Sequence, residues 1–172
     1  AQKFNNDFEA TDFLRVPEPL IQKDFSRIMS LKDAKKKMSK SDPSDLSRIN
    51  LTDDKDQIMN KIKKAKTDPL PMPSDLNDLL ERPEAKNLLG IYSSIKNQNL
   101  EQSMSNFNGK NFSEFKEELS EILVEKIAPI SSEIKKLLAD PKYLDDILLE
   151  GSNKADIIAT KKITEIKKLV GF

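Results

Sequence analysis

Lys35-Lys36-Lys37-Met38-Ser39-Lys40-Ser41-Asp42-Pro43 places four lysines and two serines within nine residues, directly ahead of a helix-start signal. Lysine ammonium groups are mobile point charges that can follow a polyphosphate, and serine hydroxyls donate short hydrogen bonds to its oxygens. Backbone N–H groups that precede a helix add positive field. The stretch therefore reads as a phosphate-binding loop. A lysine run alone would be equally consistent with a solvated basic loop, so the order of residues has to carry the argument.

Composition narrows the alternatives. The chain of 172 residues is long enough for one ordinary domain with a real core, or for a small domain plus part of another. Its 29 Lys and Arg balance 29 Asp and Glu, so any contact with nucleic acid must come from local patches. The absence of cysteine excludes a disulfide scaffold and Cys-based metal sites, and fits a reducing compartment. The absence of histidine removes Ser-His triads, His-metal sites and His-dependent acid/base catalysis. No apolar run approaches the roughly 20 residues of a membrane span, and the N-terminus does not read as a signal peptide. A soluble protein is expected.

Outward from the loop, Ser26 to Ser30 reads as a short strand or extended piece feeding it, and Phe13 to Val16 as a strand that stops at Pro17. Ala1 to about Asn6 reads as the end of a helix. Beyond the loop, Thr52 is the expected N-cap of a helix with Asp53, Asp54 and Asp56 in its first turn and lysines Lys61, Lys63, Lys64 and Lys66 at its end. The three alternating prolines of Pro69 to Pro73 predict an extended linker. Pro83 then opens a helix, and Asn99 to Gln102 resembles a capping box for a short one closed by Gly109. A long apolar period from Phe115 to Leu138 survives Pro129, which predicts one helix over about Ser113 to Ala139 with a bend at the proline. Two further helices are expected, one from Pro141 to near Gly151 and one capped by Ser152 and stopped by Gly171. Their apolar stripes are expected to be core.

The order Lys-Met-Ser-Lys-Ser, with Arg27-Ile28-Met29-Ser30-Leu31 upstream and Asp42-Pro43 behind, resembles the second signature of class I aminoacyl-tRNA synthetases. It looks most like the tryptophanyl-tRNA synthetase family, and the resemblance runs over nearly all of the chain. The tyrosyl family is the nearest competitor, but its signature usually departs from Met-Ser. The implied fold is mostly α: a C-terminal remnant of a Rossmann-type α/β nucleotide-binding domain over residues 1–51, then a helical-bundle, anticodon-binding-like domain over residues 52–172. The family's first signature, a His-Ile-Gly-His-like motif, is absent, so the chain is expected to be the C-terminal part of such an enzyme and inactive by itself.

The resemblance implies ATP-dependent activation of tryptophan to the adenylate, then transfer to tRNA(Trp). Lys37 and Lys40 match the family's two catalytic lysines. With Ile28, whose backbone would meet the adenine, and with Met38, Ser39 and Ser41, they form the implied ATP-binding set. Mg2+ would arrive with ATP as the substrate complex, with no prosthetic group and no protein metal site. The family is homodimeric and does not act at membranes, and a cytoplasmic location is expected, with the mitochondrial matrix as the alternative. Lys161 and Lys162, on a lysine-rich helix running from Lys154 to Lys168, are the candidate tRNA contacts. The residues alone also admit a non-catalytic helical module that binds RNA or protein. A scaffold, however, has no need of Met-Ser-Lys-Ser-Asp-Pro, and RNA readers often carry more than six per cent aromatics for base stacking.

Overall fold

A computed structural model describes residues 1–21 and 26–172. Among them the chain forms six α-helices: α1 (Gln2–Asp7), α2 (Lys55–Lys63), α3 (Pro83–Lys96), α4 (Leu100–Ser105), α5 (Phe112–Leu138) and α6 (Pro141–Val170). Short 3-10 turns lie at Asp45–Ser47 and Leu76–Leu80. The expected mostly α class is the class observed. The two short strands are not formed. Phe13 to Val16 pairs with no strand among the described residues: Phe13 N–H turns back to Ala10 O at 3.1 Å, and the N–H and C=O of Leu14 are both taken by the side chain of Asn5, at 2.9 and 2.8 Å. Ser26 to Ser30 contributes only an isolated antiparallel bridge, Met29 to Lys37.

Two compact units divide the chain, one of Ala1–Ile21 with Leu137–Phe172 and one of Gln22–Lys136. The lysine loop shares a unit with α2, α3, α4 and most of α5. That unit holds the whole buried apolar cluster, from Leu31 to Leu123. Ile58 and Ile62 from α2, Leu88 and Leu89 from α3, and Phe115 and Leu119 from α5 are each no more than 1% exposed. Tyr92, Phe107 and Phe115 meet in edge and tilted contacts with centroids 4.8 to 6.0 Å apart, a geometry that aligns ring edges with ring faces. The Tyr92 hydroxyl donates to Glu118 at 2.6 Å. Burial and that carboxylate push its pKa up to about 12, so it stays protonated.

Helix starts follow capping chemistry, with one shift. The N-cap of α2 is Asp54, which forms a reciprocal capping box with Gln57, in place of the expected Thr52. Asp53, one residue earlier, is drawn inward by a lysine, and this displaces the start. The C-terminal carbonyls of α2 are capped from α5: Lys116 Nζ donates to the carbonyls of Ala65 at 2.7 Å and Lys63 at 3.3 Å. Pro83 occupies the first turn of α3, and Asn99 with Gln102 forms the capping box of α4. Helix α5 runs unbroken through Pro129, as the continuous apolar period requires.

The proline run is pinned at both ends. Met72 is buried and its N–H donates to Lys110 O at 2.9 Å. Arg82 makes a bidentate pair with Asp68, at 2.9 and 2.7 Å, and reaches Pro71 O at 2.8 Å. Burial pushes the Asp68 carboxyl up, but the Arg82 guanidinium and the Leu70 N–H more than offset this, leaving it below its ordinary value of 3.8. A folded value below the unfolded one means that this contribution is complete above the unfolded pKa and fades as the pH falls through the folded one. Asp68→Asn is therefore expected to be less stable than the parent at neutral pH and to close that gap below pH 3.8. Urea unfolding at several pH values checks this.

In the other unit, the two expected C-terminal helices are one. Helix α6 continues through Gly151, which keeps helical backbone at a propensity cost of roughly 1 kcal/mol relative to alanine. Asp140 caps its start, and Gly171, at φ 94°, ends it in the left-handed conformation that glycine tolerates. Its apolar stripe is not core, since no residue of the helix is buried, and Ile158 is 73% exposed.

Candidate phosphate-binding site

The lysine loop is a hairpin-like turn held from three sides. Ser30 N–H donates to Lys36 O at 2.8 Å and Met38 N–H to Ile28 O at 3.0 Å, which pairs Met29 with Lys37. Leu31 N–H donates to Ser47 O, and Lys66 N–H to Leu31 O. On the far edge of Met29, Asn87 of α3 bonds both backbone groups: its Oδ1 accepts from Met29 N–H at 2.9 Å and its Nδ2 donates to Met29 O at 2.9 Å. Ile28 is half-buried, and its N–H carries no partner among the described residues, so backbone contact with a base is open to it.

At the tip, Lys37, Ser39, Lys40 and Ser41 are exposed, while Met38 is half-buried and packs on the core. Ser39 Oγ and Ser41 Oγ lie 3.1 Å apart, and Ser41 N–H donates to Ser39 Oγ. Lys36 reaches Asp33 at 3.7 Å, whereas Lys37 and Lys40 pair with no carboxylate among the described residues. Two cations and two hydroxyls thus sit on one solvent-facing turn, and no carboxylate among the described residues neutralises the cations. That arrangement suits a mobile polyanion. Among the described residues, no group of three His, Cys, Asp or Glu side chains is placed to hold a metal ion.

Behind the tip lies a charged network. Arg48 Nη1 donates to Asp42 O at 2.9 Å and Ser44 O at 3.4 Å, tying down the exit of the loop. Arg48 also pairs with Asp45 at 3.2 Å, and Lys61 Nζ reaches Asp45 at 2.7 Å and Asp53 at 2.6 Å. Lys61 and Asp53 are 2% and 3% exposed. Hydrogen bonds from Lys61 and Asn50 hold the exposed Asp45 carboxyl below the usual carboxylate range.

Sequence reasoning named the tip residues and missed their supports. Lys61 reads as one of several cations at a helix C-terminus, yet it turns inward to a buried carboxylate. Asn87 leaves only a weak trace, a poor helix former in the middle of α3 beside Leu88-Leu89, because its partner lies 58 residues away. The candidate tRNA lysines are far from equivalent. Lys162 pairs with Glu165 at 2.8 Å and sits over the Phe13 ring at 4.3 Å, while Lys161 is exposed.

The family profile described as tRNA synthetases class I (W and Y) matches residues 1–127. The chain is 49% identical over 172 residues to the tryptophan–tRNA ligase of Caulobacter vibrioides, covering 100% of this chain and 50% of that protein. It is 48% identical over 171 residues to the same-named protein of Rickettsia conorii, covering 99% of this chain and 50% of that one. Among solved structures, tryptophanyl-tRNA synthetase from Mycoplasma pneumoniae aligns with a TM-score of 0.77 at 27% identity, over 100% of this chain and 52% of that chain. The chain thus spans about half the length of the curated relatives it matches.

Proposed function

Because the chain belongs to the class I tRNA synthetases of the tryptophan and tyrosine group, we propose that it serves a tryptophan–tRNA ligase by supplying the phosphate-binding loop and a tRNA-contacting helical region. The carrying observation is that Lys37 and Lys40, which pair with no carboxylate among the described residues, share with the Ser39 and Ser41 hydroxyls a turn anchored from behind. Identity of 42–49% to tryptophan–tRNA ligases supports tryptophan over tyrosine as the substrate.

In this reading ATP binds as its Mg2+ complex, with the adenine against the backbone of Ile28 and the β- and γ-phosphates at the loop. Tryptophan carboxylate attacks the α-phosphorus, and pyrophosphate leaves as the adenylate forms. Negative charge grows on the leaving phosphates, and Lys37 and Lys40 stabilise it most strongly in the transition state. Ser39, Ser41 and nearby N–H groups orient the phosphate, while Met38 seats the loop on the core. Aminoacyl transfer to tRNA(Trp) follows, in a cytoplasmic enzyme that acts as a homodimer. Among the described residues, no helix is long and apolar enough to cross a membrane.

The test is ATP–pyrophosphate exchange by a protein of the relatives' full length that carries this segment. Exchange is expected with tryptophan and not with tyrosine, and to be lost on Lys37→Ala/Lys40→Ala. Tyrosine-driven exchange, or an unaffected double variant, overturns the reading.

For tRNA, the exposed Lys161 is the stronger candidate, since Lys162 already has an acidic and an aromatic partner. Removing one lysine that neutralises a phosphate should flatten the log–log salt dependence of binding by about 0.7 for a single-stranded segment, so Lys161→Ala is expected to do so. Lys162→Ala should do so less. Equal slopes for all three proteins across a salt series would remove both lysines from the RNA surface.

A further inference from the structure

Met29 and Lys37 face each other across the antiparallel bridge, and the flanking hydrogen bonds belong to their neighbours, Ser30 with Lys36 and Ile28 with Met38. In that geometry the backbone N–H and C=O of Met29 point away from Lys37, to the other edge of the segment. There the Asn87 amide takes both, at 2.9 and 2.9 Å. A carboxamide is the side-chain group that offers a donor and an acceptor side by side in one plane, as a neighbouring strand would. Asn87 is held in turn by α3, where the next two residues, Leu88 and Leu89, are 1% and 0% exposed. Lys37 is thus placed relative to a packed helix through one side chain and one peptide.

We propose that Asn87 is a positioning residue for Lys37, acting through the backbone of Met29 to fix the register in which the lysine meets the phosphates. This rests on the phosphate-binding role proposed for Lys37. Pairing has a period of two residues, so a slip by one residue would carry Lys37 to the opposite face of the segment. Two hydrogen bonds on one residue's backbone oppose that slip.

Two measurements on Asn87→Leu, Asn87→Asp and Asn87→Gln test the proposal. In the 172-residue chain, amide exchange at Met29, Ser30 and Met38 should speed up at least about tenfold in the Leu variant, with Phe115 and Leu119 unchanged, as expected for local opening. In a protein of the relatives' full length, the Leu and Asp variants should lower kcat for pyrophosphate exchange about tenfold, with the KM for tryptophan within about twofold. Asn87→Gln, which keeps the amide, should recover part of the rate. On a Lys37→Ala background, Asn87→Leu should have less than about a twofold effect, because residues acting through one contact are not additive. Equal losses on both backgrounds, or a loss that tracks exchange throughout the core, overturns the positioning role. If Asn87→Leu does not fold, the Asp and Gln variants carry the same comparison. If Lys37→Ala alone leaves catalysis intact, the reading of the loop fails and the proposal falls with it; an impaired Lys37→Ala with additive Asn87 effects removes only Asn87.

Discussion

Lys40→Ala, in a protein of the relatives' full length, is expected to lower kcat for pyrophosphate exchange by about 10²–10³-fold, the usual effect of removing one preorganised group from a developing oxyanion. The KM for ATP should change little. Lys40 is exposed at the turn that follows Ser39 and pairs with no carboxylate among the described residues, so removing it breaks no contact that holds the fold. Thermal stability should therefore match the parent, which separates a catalytic loss from an unfolding one. The lysine competes with water for the ground-state phosphates and gains most when pyrophosphate carries its full charge, which places the effect on kcat. Steady-state exchange kinetics against ATP concentration check this. A higher KM at unchanged kcat would mean that Lys40 binds ground state and transition state alike.

Asp53→Ala should destabilise the 172-residue chain by about 3–5 kcal/mol, the range seen when one partner of a buried ion pair is removed. Asp53 accepts from Lys61 at 2.6 Å, from Asn50 N–H at 2.8 Å and from Asn50 Nδ2 at 3.3 Å. Its loss leaves Lys61, 2% exposed, with the exposed Asp45 as its one remaining carboxylate among the described residues. Lys61→Met/Asp53→Leu should recover a good part of the loss, because two apolar groups need no hydration in that site. Urea unfolding of parent, single and double variants measures both effects. A loss below about 1 kcal/mol for Asp53→Ala would place the pair with ordinary surface salt bridges. Since Arg48 shares Asp45 with Lys61 and holds the Asp42 carbonyl, the same variant should also loosen the exit of the loop.

The elements legible in the sequence were those set by neighbours along the chain. Pro83, the Asn99–Gln102 box and Gly171 mark helix ends by local hydrogen bonding and backbone preference, and the structure puts ends there. Helix α5 crosses Pro129 because one missing N–H weighs less than a continuous apolar face. The Lys-Met-Ser-Lys-Ser order pointed to the family, since such an order is read along the chain whatever surrounds it in space.

What the tertiary structure decided depends on partners that only the folded chain supplies. Thr52, Asp53 and Asp54 compete as local caps, and the buried ammonium of Lys61, bonded to Asp53, settles the start of α2 on Asp54. Gly151 and Ser152 read as a stop and a cap, but without a glycine in left-handed backbone the helix runs on, and nothing local signals which way that choice falls. Helical periodicity marks an apolar face without saying whether anything covers it, and in α6 the stripe lies exposed. Short strands need an edge to pair with; Leu14 is satisfied by Asn5 and Met29 by Asn87, two side-chain amides standing where strands were expected. Local chemistry sets caps and motifs because hydrogen bonds within a few residues form wherever the chain goes. Burial and partnership at Lys61, Asn87 and α6 exist only once the chain has folded, because they are properties of what lies across the gap.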